Sequence, residues 1–391
     1  MEKVRVGLVG LGNIGTKHAK YLSEMQNVVL AAVCDIVKEK ADLFAEKYGA
    51  TKYYDYRDML KKESLDAVII AVPHYDHTPI SIDAFEKGIN VLCEKPLAVH
   101  VNDAKKSVNA YKEAKAKNDK LVFAMMFQER TYAHYRKIKE ILESGRLGKL
   151  IRVTWIDTTR FRTQKYYNSG GWRATWAGEG GGILSNQCPH NLDMYQWLFG
   201  LPKSVNGFAH IGKYHDIEVE DEVTAYFEHE NGMVAHFIVS TAEAPGSNRL
   251  EISAENGKLI YEDGELTFYQ NVKSMLNVLE TSEIVFDNVE CWKCTIPVDN
   301  ALPRGHHIVA GKFIDSILNE KEDLFAHGAE GVNSVMLANA IMLSSFKNER
   351  VTLPIDADEY EDKLNELVKN SKYKKVVDES TDIDMDNSFA K

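Results

Sequence analysis

The sequence is poor in the residues that build disulfide scaffolds. Its 391 residues include five cysteines and nine prolines. Five cysteines in a chain of this length form no disulfide framework, and Cys34 and Cys93 lie in apolar runs, where reduced thiols are expected. No run reaches the roughly 20 uninterrupted apolar residues of a membrane-spanning helix. These absences predict a cytoplasmic protein with no membrane partner.

An excess of positive charge is also missing. Lys and Arg number 47 against 58 Asp and Glu, which gives a formal net charge of −11. Nucleic acids and anionic membranes favour a basic face, so this charge argues against both as partners. A strand-like run begins at Val4 and leaves no room for the apolar core of a secretion signal, which agrees with a cytoplasmic location.

A glycine-rich motif follows the first apolar run. Residues 4–9 are almost entirely apolar, as in a parallel strand buried on both faces, and residues 10–15 read GLGNIG before a helical stretch. One glycine permits a tight turn, the second lets the backbone approach a pyrophosphate, and the third lets helix and strand pack closely. The helix N-terminus adds free N–H groups for phosphates. The expected cofactor contacts are Gly10, Gly12, Asn13, Ile14 and Gly15.

An acidic residue ends the second apolar run, 20 positions past Gly15. Asp35 can accept hydrogen bonds from the adenosine ribose hydroxyls and would repel a 2′-phosphate. Ile36 and Val37 supply no arginine that would bind such a phosphate. The expected cofactor is therefore NAD, with NADP disfavoured.

Strands alternate with helices as far as about residue 127, which predicts a doubly wound parallel sheet. Beyond it, runs with a period of two at residues 150–157, 222–228 and 233–240 predict antiparallel strands. The length also makes two domains the default. We therefore predict an α/β chain with a dinucleotide-binding domain at residues 1–128, an α+β substrate domain at 129–355 and a charged extension at 356–391.

Lys95 follows an apolar run and precedes Pro96. The carboxyl end of a parallel strand is the edge where such sheets bind ligands, and Pro96 restricts Lys95 to an extended backbone. The loop after the preceding strand should face the nicotinamide half of the cofactor. There His77 either contacts the cofactor or caps the next helix, while His74 is expected to be a plain loop residue. Candidate contacts along this edge are Pro73, His77, Glu94 and Lys95.

Aromatic, arginine and glycine residues are concentrated between residues 160 and 182. Such a loop suits the wall of a sugar site, because aromatic faces stack on C–H surfaces while arginines bond hydroxyls. The alternative is a flexible glycine loop with incidental aromatics. The candidate substrate contacts are Tyr166, Trp172 and Arg173.

A histidine opens the helix that follows. Pro189 is tolerated only in a first helical turn, so His190 lies near the helix N-terminus. Asp193 falls at i+3 on the same face, and an imidazole beside a carboxylate suits acid–base chemistry near neutral pH. Asn186 either caps this helix or points into the same pocket.

Four motifs in order resemble the glucose–fructose oxidoreductase / inositol dehydrogenase (Gfo/Idh/MocA) family: GLGNIG at 10–15, EKP at 94–96, GWR at 171–173, and the run from GGG at 180–182 to HNLD at 190–193. The resemblance extends to about residue 354. It implies an N-terminal Rossmann domain, a C-terminal domain with a large mostly antiparallel sheet, and a homodimer or homotetramer. It also implies NAD(P)-dependent oxidation or reduction of a sugar or cyclitol.

The resemblance assigns roles as well. Lys95 would contact the reacting hydroxyl and His190 would exchange its proton, with Asn186 among the substrate contacts. Many members carry an aspartate where this chain has Asn186, whose amide cannot stabilise imidazolium by charge. Either Asp193 or Lys95 then compensates, or the proton takes a different path.

The leading hypothesis is an NAD-dependent dehydrogenase acting on a secondary alcohol of a sugar, sugar derivative or cyclitol. Its catalytic residues would be Lys95, His190 and Asp193. The alternatives are an NAD-dependent glycosidase that uses transient oxidation and a non-catalytic NAD-responsive binding protein. Cys291 and Cys294 have no second pair for zinc, so no metal is expected. The extension is expected to form a peripheral helix near residues 356–377 and a solvated acidic tail over residues 378–386.

Overall fold

Residues 3–371 are described here from a computed structural model of the protein. They form two sheets with helices packed around them. The acidic segment predicted at residues 378–386 lies outside the described residues. No helix of the described chain combines the length and the apolar character needed to cross a membrane.

The first sheet has six parallel strands in the order β3-β2-β1-β4-β5-β6. This order confirms the predicted doubly wound sheet, and its buried strands are built from the apolar runs of the sequence. The strands are β1 (Val4–Val9), β2 (Val28–Cys34), β3 (Thr51–Tyr53), β4 (Ala67–Ile70), β5 (Asn90–Cys93) and β6 (Phe123–Met125).

Five helices connect these strands. A helix after Asp55, which the sequence did not predict, is capped by that carboxylate, because Asp55 Oδ1 accepts the Arg57 N–H at 2.8 Å. The helices are α1 (Asn13–Glu24), α2 (Lys38–Tyr48), α3 (Tyr56–Lys62), α4 (His77–Glu86) and α5 (Val101–Lys115).

The remaining elements build the second sheet and its covering helices. In chain order they are α6 (Ala133–Glu143), β7 (Leu150–Asp157), α7 (Gln164–Tyr167), α8 (Pro189–Phe199), β8 (Ser204–Ile211), β9 (Glu220–Glu228), β10 (Val234–Ser240), β11 (Asn248–Ala254), β12 (Gly257–Glu262), β13 (Glu265–Asn271), α9 (Met275–Thr281), β14 (Cys291–Ile296), α10 (His306–Leu318), α11 (Gly331–Lys347), β15 (Val351–Thr352) and α12 (Ala357–Lys369). Short 3-10 turns occupy His74–Asp76, Gln128–Thr131 and Gly328–Glu330.

This second sheet has nine strands in the order β14-β13-β12-β11-β7-β10-β9-β8-β15. All its neighbours are antiparallel except β7 and β10, which run parallel. The prediction of antiparallel strands was therefore wrong for this one pair. The connection from β7 to β10 passes through two helices and two strands, and such a crossover returns the chain in the same direction.

The chain returns to the first sheet late. Helix α10 packs on the core formed by β1 and α1, where Val309, Phe313 and Ile314 are buried. Helix α12, which falls within the predicted peripheral helix, is held against α5, because Asn102 Nδ2 donates to Asp358 and Glu361 at 2.7 Å each. The predicted domain boundary near residue 128 remains a prediction. Helix α10 lies after this boundary in the sequence but packs on elements that lie before it.

Candidate active site

The glycine loop after β1 has the shape that its sequence predicts. Gly10 has a φ of +91°, and a side chain there would collide with the Ala71 carbonyl. A Cβ on Gly15 would lie 2.0 Å from the Gly10 oxygen, so helix α1 and the turn meet backbone to backbone. Gly12 is the N-cap of α1, and a Cβ built on it would meet no atom within 4 Å. The first turn, with Asn13 and Ile14, thus presents its N–H groups beside an open space, which fits a dinucleotide phosphate.

Asp35 lies directly after β2 and supports this loop. Its two carboxylate oxygens accept the N–H groups of Leu11 and Val37, each at 2.8 Å. A carboxylate has about four lone-pair positions, so two remain for ribose hydroxyls. The residues present therefore fit NAD, and Asp35 also fixes the turn that would receive it.

Lys95 extends from the end of β5 towards the second domain. Its Nζ donates to the Asn186 carbonyl at 2.9 Å. Burial lowers the pKa of the Lys95 ammonium, while the negative charges of Glu94 and Glu179 act in the opposite direction. Lys95 is thus held at the junction of the two domains.

Glu94 is bound by groups of the first domain. Its Oε1 lies 2.8 Å from Nε2 of the buried His18, and its Oε2 accepts the Lys95 N–H at 3.3 Å. Burial alone would raise the pKa of Glu94, but the hydrogen bond from His18 and the nearby positive charges bring it to about 2. Its predicted contact with a cofactor remains a prediction.

The loop after Pro73 is more buried than its sequence suggests. The ring nitrogens of His77 lie 2.6 Å and 2.9 Å from the carbonyls of Pro96 and Val72, and the N-cap of α4 is Asp76. His77 therefore does not cap the helix, and its nitrogens contact the protein's own backbone. The expectation that His74 is a plain loop residue was wrong, because its ring is buried against Trp172.

His190 is the second residue of α8 and is buried. The Gln128 amide donates to its Nε2 at 2.8 Å, and its Nδ1 has no partner among the described residues. Burial lowers the pKa of His190 well below its usual range, and the charges of Lys95 and Arg160 add to this effect. Burial therefore favours the neutral form of His190, in which Nε2, the nitrogen that faces the Gln128 amide, is unprotonated.

The structure does not bring the Asp193 carboxylate to His190. Arg130 binds both of its oxygens, at 2.9 Å from Nε and 2.6 Å from an Nη, and both side chains are buried. Arg130 also donates to Glu330 at 2.8 Å. The predicted catalytic neighbour of His190 thus joins an ion pair that holds α8 against the rest of the molecule.

The residues predicted to form the substrate wall contact one another. The Arg173 guanidinium lies over the rings of Tyr166 and Trp172, 4.8 Å and 4.7 Å from their centroids. Its Nη1 donates to the Tyr166 hydroxyl at 3.0 Å, and Gln187 donates to the same hydroxyl at 3.2 Å. The aromatic and arginine residues of the loop therefore form one ordered surface.

Glu179 is the residue that the sequence reasoning missed. It is 1% exposed, and Asn186 Nδ2 donates to its Oε1 while the Ala174 N–H donates to its Oε2 at 2.6 Å. Asn186 thus neither caps α8, whose N-cap is Cys188, nor points away from the site. One signal was available: Glu179 is the only acidic residue between Asp157 and Asp193.

No group of three or more His, Cys, Asp or Glu in residues 3–371 has the arrangement of a metal site. Cys291 and Cys294 lie on the edge strand β14, far along the sheet from β7. Both cysteines thus belong to a regular strand, and we assign them no redox or metal site.

Most strands of the first sheet and part of the second match models of one protein family. The model of the GFO_IDH_MocA oxidoreductase family, an NAD-binding Rossmann fold, matches residues 4–119. The model of the GFO/IDH/MocA C-terminal domain matches residues 135–260.

Individual relatives agree with these matches. The chain is 33% identical to inositol 2-dehydrogenase of Salmonella typhimurium over 153 residues, which is 38% of this chain and 44% of the relative. It is 28% identical to myo-inositol 2-dehydrogenase of Thermotoga maritima over 200 residues, 50% of this chain and 55% of the relative. The matched region therefore spans about half the length of these curated relatives.

Solved structures match over a larger share. The WlbA dehydrogenase of Chromobacterium violaceum, solved with NADH and UDP-GlcNAcA, is 27% identical with a TM-score of 0.78, covering 91% of this chain and 97% of that one. A levoglucosan dehydrogenase solved with NADH and levoglucosan is 22% identical with a TM-score of 0.73, covering 90% and 100%, and shows the shared fold.

Proposed function

The chain belongs to the Gfo/Idh/MocA family of NAD-binding oxidoreductases, and we propose that it transfers a hydride between NAD and a secondary alcohol of a sugar, sugar derivative or cyclitol. The observation that carries this proposal is the hydrogen bond from Lys95 Nζ to the Asn186 carbonyl. It joins the ligand-binding edge of the first sheet to the segment that leads into His190. The inositol 2-dehydrogenases and the WlbA dehydrogenase among the similar proteins support this substrate class.

The cofactor would lie along the carboxyl edge of the first sheet. The glycine loop and the first turn of α1 would hold the pyrophosphate, and Asp35 would hold the adenosine ribose. NAD supplies the hydride acceptor or donor when it is bound. The residues proposed to hold it are Gly10, Gly12, Asn13, Ile14, Gly15, Asp35, Pro73, His77, Glu94 and Lys95.

The proton would be handled by two side chains. Lys95 uses one of its three N–H bonds on the Asn186 carbonyl, which leaves two for the substrate oxygen. His190, held neutral by burial, accepts the hydroxyl proton in the direction of oxidation. Asp193 supports this chemistry from a distance, because its carboxylate fixes α8 through Arg130. Tyr166, Trp172, Arg173 and Asn186 would line the sugar.

We also propose that the protein is a homodimer or homotetramer. Large apolar side chains are in contact with solvent at the end of β8, where Phe208 and Ile211 lie, and in the loop that follows it, where Tyr214 lies. Neighbouring apolar side chains exposed on a sheet face are typical of a protein–protein interface.

A Lys95→Met variant tests the proposed activity. NAD reduction with a panel of sugars and cyclitols should fall by about 100-fold or more, a much larger change than any loss of NAD affinity measured by calorimetry. Lys87→Met, on the exposed surface of the same domain, is the matched control.

Three results would contradict this proposal. Turnover by Lys95→Met near the wild-type rate would remove Lys95 from the chemistry. Product release by the wild-type protein without net NADH would indicate the glycosidase. Binding of NAD and sugar with no change in nicotinamide absorbance would indicate a binding protein.

A further inference from the structure

Glu179 is a buried carboxylate whose two hydrogen-bond donors are neutral groups. Its oxygens accept hydrogen bonds from the Ala174 N–H and the Asn186 amide, and its side chain is almost completely buried. Buried charges usually lie against an opposite charge, because desolvation is costly. Burial raises the pKa of Glu179, and the positive charges that act against this rise are those of Arg173 and Lys95.

Lys95 presents the complementary situation. Its side chain is partly buried, and its Nζ donates to a neutral group, the carbonyl of Asn186. Asn186 thus binds the cation through its backbone oxygen and the anion through its side-chain amide. Asn186 therefore lies between the Lys95 ammonium and the Glu179 carboxylate.

We propose that Glu179 is the counter-charge of Lys95, coupled to it through Asn186, and that Glu179 is a positioning residue that keeps the Lys95 ammonium charged and directed at the reacting oxygen. This inference rests on the proposed function above. It also gives Asn186 a defined task, which is to link the two charges rather than to serve as an acid itself.

Other charged or titratable groups also face Lys95 and act on its pKa. Positive charges oppose the ammonium and negative charges favour it. The facing groups are Glu94 on its own strand end, Arg160, Arg173 and Glu179 on the loop between β7 and α8, His74 on the loop before α4, His190 on α8 and His306 on α10. Glu94 is already bound by His18, so Glu179 is the acid of the second domain that can respond to Lys95.

Exchange of the acid and the amide tests this coupling. Glu179→Gln removes the charge and keeps a hydrogen-bonding group of the same size. The double variant Glu179→Gln/Asn186→Asp returns one negative charge to the same hydrogen bond. Glu220→Gln is the control, because Glu220 is also buried but binds the backbone N–H groups of Gly182 and Leu184.

Two readouts are needed. The first is the titration of Lys95 followed by NMR of protein labelled with [13Cε]lysine, with the Lys95 signal identified by its absence in Lys95→Met. The second is the pH profile of kcat.

In Glu179→Gln we expect the titration midpoint of Lys95 to fall by about one pH unit, the basic limb of kcat to move down with it, and kcat to fall about tenfold or more. The double variant should recover both, and Glu220→Gln should move neither midpoint.

The coupling is overturned if the Lys95 midpoint is the same in Glu179→Gln and wild type, or if the double variant behaves like Glu179→Gln. The NMR titration needs no turnover. If the midpoint moves as expected but the wild-type protein oxidises no sugar or cyclitol, the coupling stands and the proposed activity fails.

Discussion

Asp35 has two tasks at the level of a single residue. It closes the glycine loop through the Leu11 and Val37 N–H groups and presents its remaining lone pairs where a ribose would lie. The carboxylate is also what would repel the additional phosphate of NADP. Ile36, 72% exposed beside it, offers that phosphate no donor.

The double variant Asp35→Ser/Ile36→Arg should therefore change the cofactor preference. We expect the ratio of kcat/KM for NAD over that for NADP to fall by at least about tenfold, equivalent to about 1.4 kcal/mol, because the arginine binds a phosphate and the anion is gone. Steady-state kinetics with both cofactors measures this ratio. An unchanged ratio in a variant with wild-type melting temperature would exclude Asp35 as the discriminating residue.

The pH dependence of oxidation should reflect a neutral His190. Its pKa is lowered by burial and by nearby cations, so activity should persist as the pH falls through about 6.5, where an ordinary histidine protonates. The acid limb of kcat/KM should lie below this value. Loss of a positive charge in Arg160→Gln raises the pKa of His190, which should move the limb to higher pH.

A matched substitution at the surface, Arg152→Gln, should leave that limb in place, since Arg152 pairs with Glu251 on the exposed side of the sheet. An acid limb at the same pH in Arg160→Gln and wild type would show that another group accepts the proton.

Among the elements, α8 depends on one buried ion pair. Arg130 and Asp193 are each 1% exposed at their side chains and bind in a bidentate manner. Arg130→Met leaves the carboxylate buried without its partner and should lower the free energy of unfolding by about 3–5 kcal/mol. Denaturant unfolding measures this loss.

Arg152→Met provides the comparison for this prediction, because an exposed pair contributes about 1 kcal/mol or less. A loss in Arg130→Met no larger than the loss in Arg152→Met would contradict the role of the pair in holding α8.

Elements with a regular local pattern were predicted well from the sequence, whereas the pairing of distant strands was not. The strand Val4–Val9, the helix Lys38–Tyr48 and the strand Leu150–Asp157 fall at their predicted bounds, because each is a run of consistent period between clear breaks. The direction of β10 beside β7 was not predictable, because pairing is decided by a crossover of many residues and not by local pattern.

The candidate site shows the same limit. The glycine loop and Asp35 were predictable because their chemistry follows from local spacing. The partner of Asp193 was not, since Arg130 lies 63 positions away and the i+3 spacing to His190 suggested a different neighbour. Glu179 was missed because its importance comes from contacts with Asn186 and Ala174, which a one-dimensional pattern does not show.

On the scale of the whole molecule, we expect the outer face of the large sheet to form the interface of the proposed oligomer. Phe208→Glu should place a charge in the interface proposed there and reduce the molar mass found by size-exclusion chromatography with light scattering. Leu43→Glu, at another exposed apolar residue on α2 of the first domain, should not change that mass. A wild-type protein with the mass of one chain would contradict the assembly directly.

Helix α10 has a consequence for synthesis of the protein. The apolar side chains of β1 and α1 are covered by Phe313 and Ile314, which leave the ribosome about 180 residues after β6. At a synthesis rate of about 5–20 residues per second, this interval lasts roughly 10 to 40 s. The first domain therefore carries an uncovered apolar surface during most of the translation that follows β6, and we expect chaperones that bind at the exit tunnel to protect it.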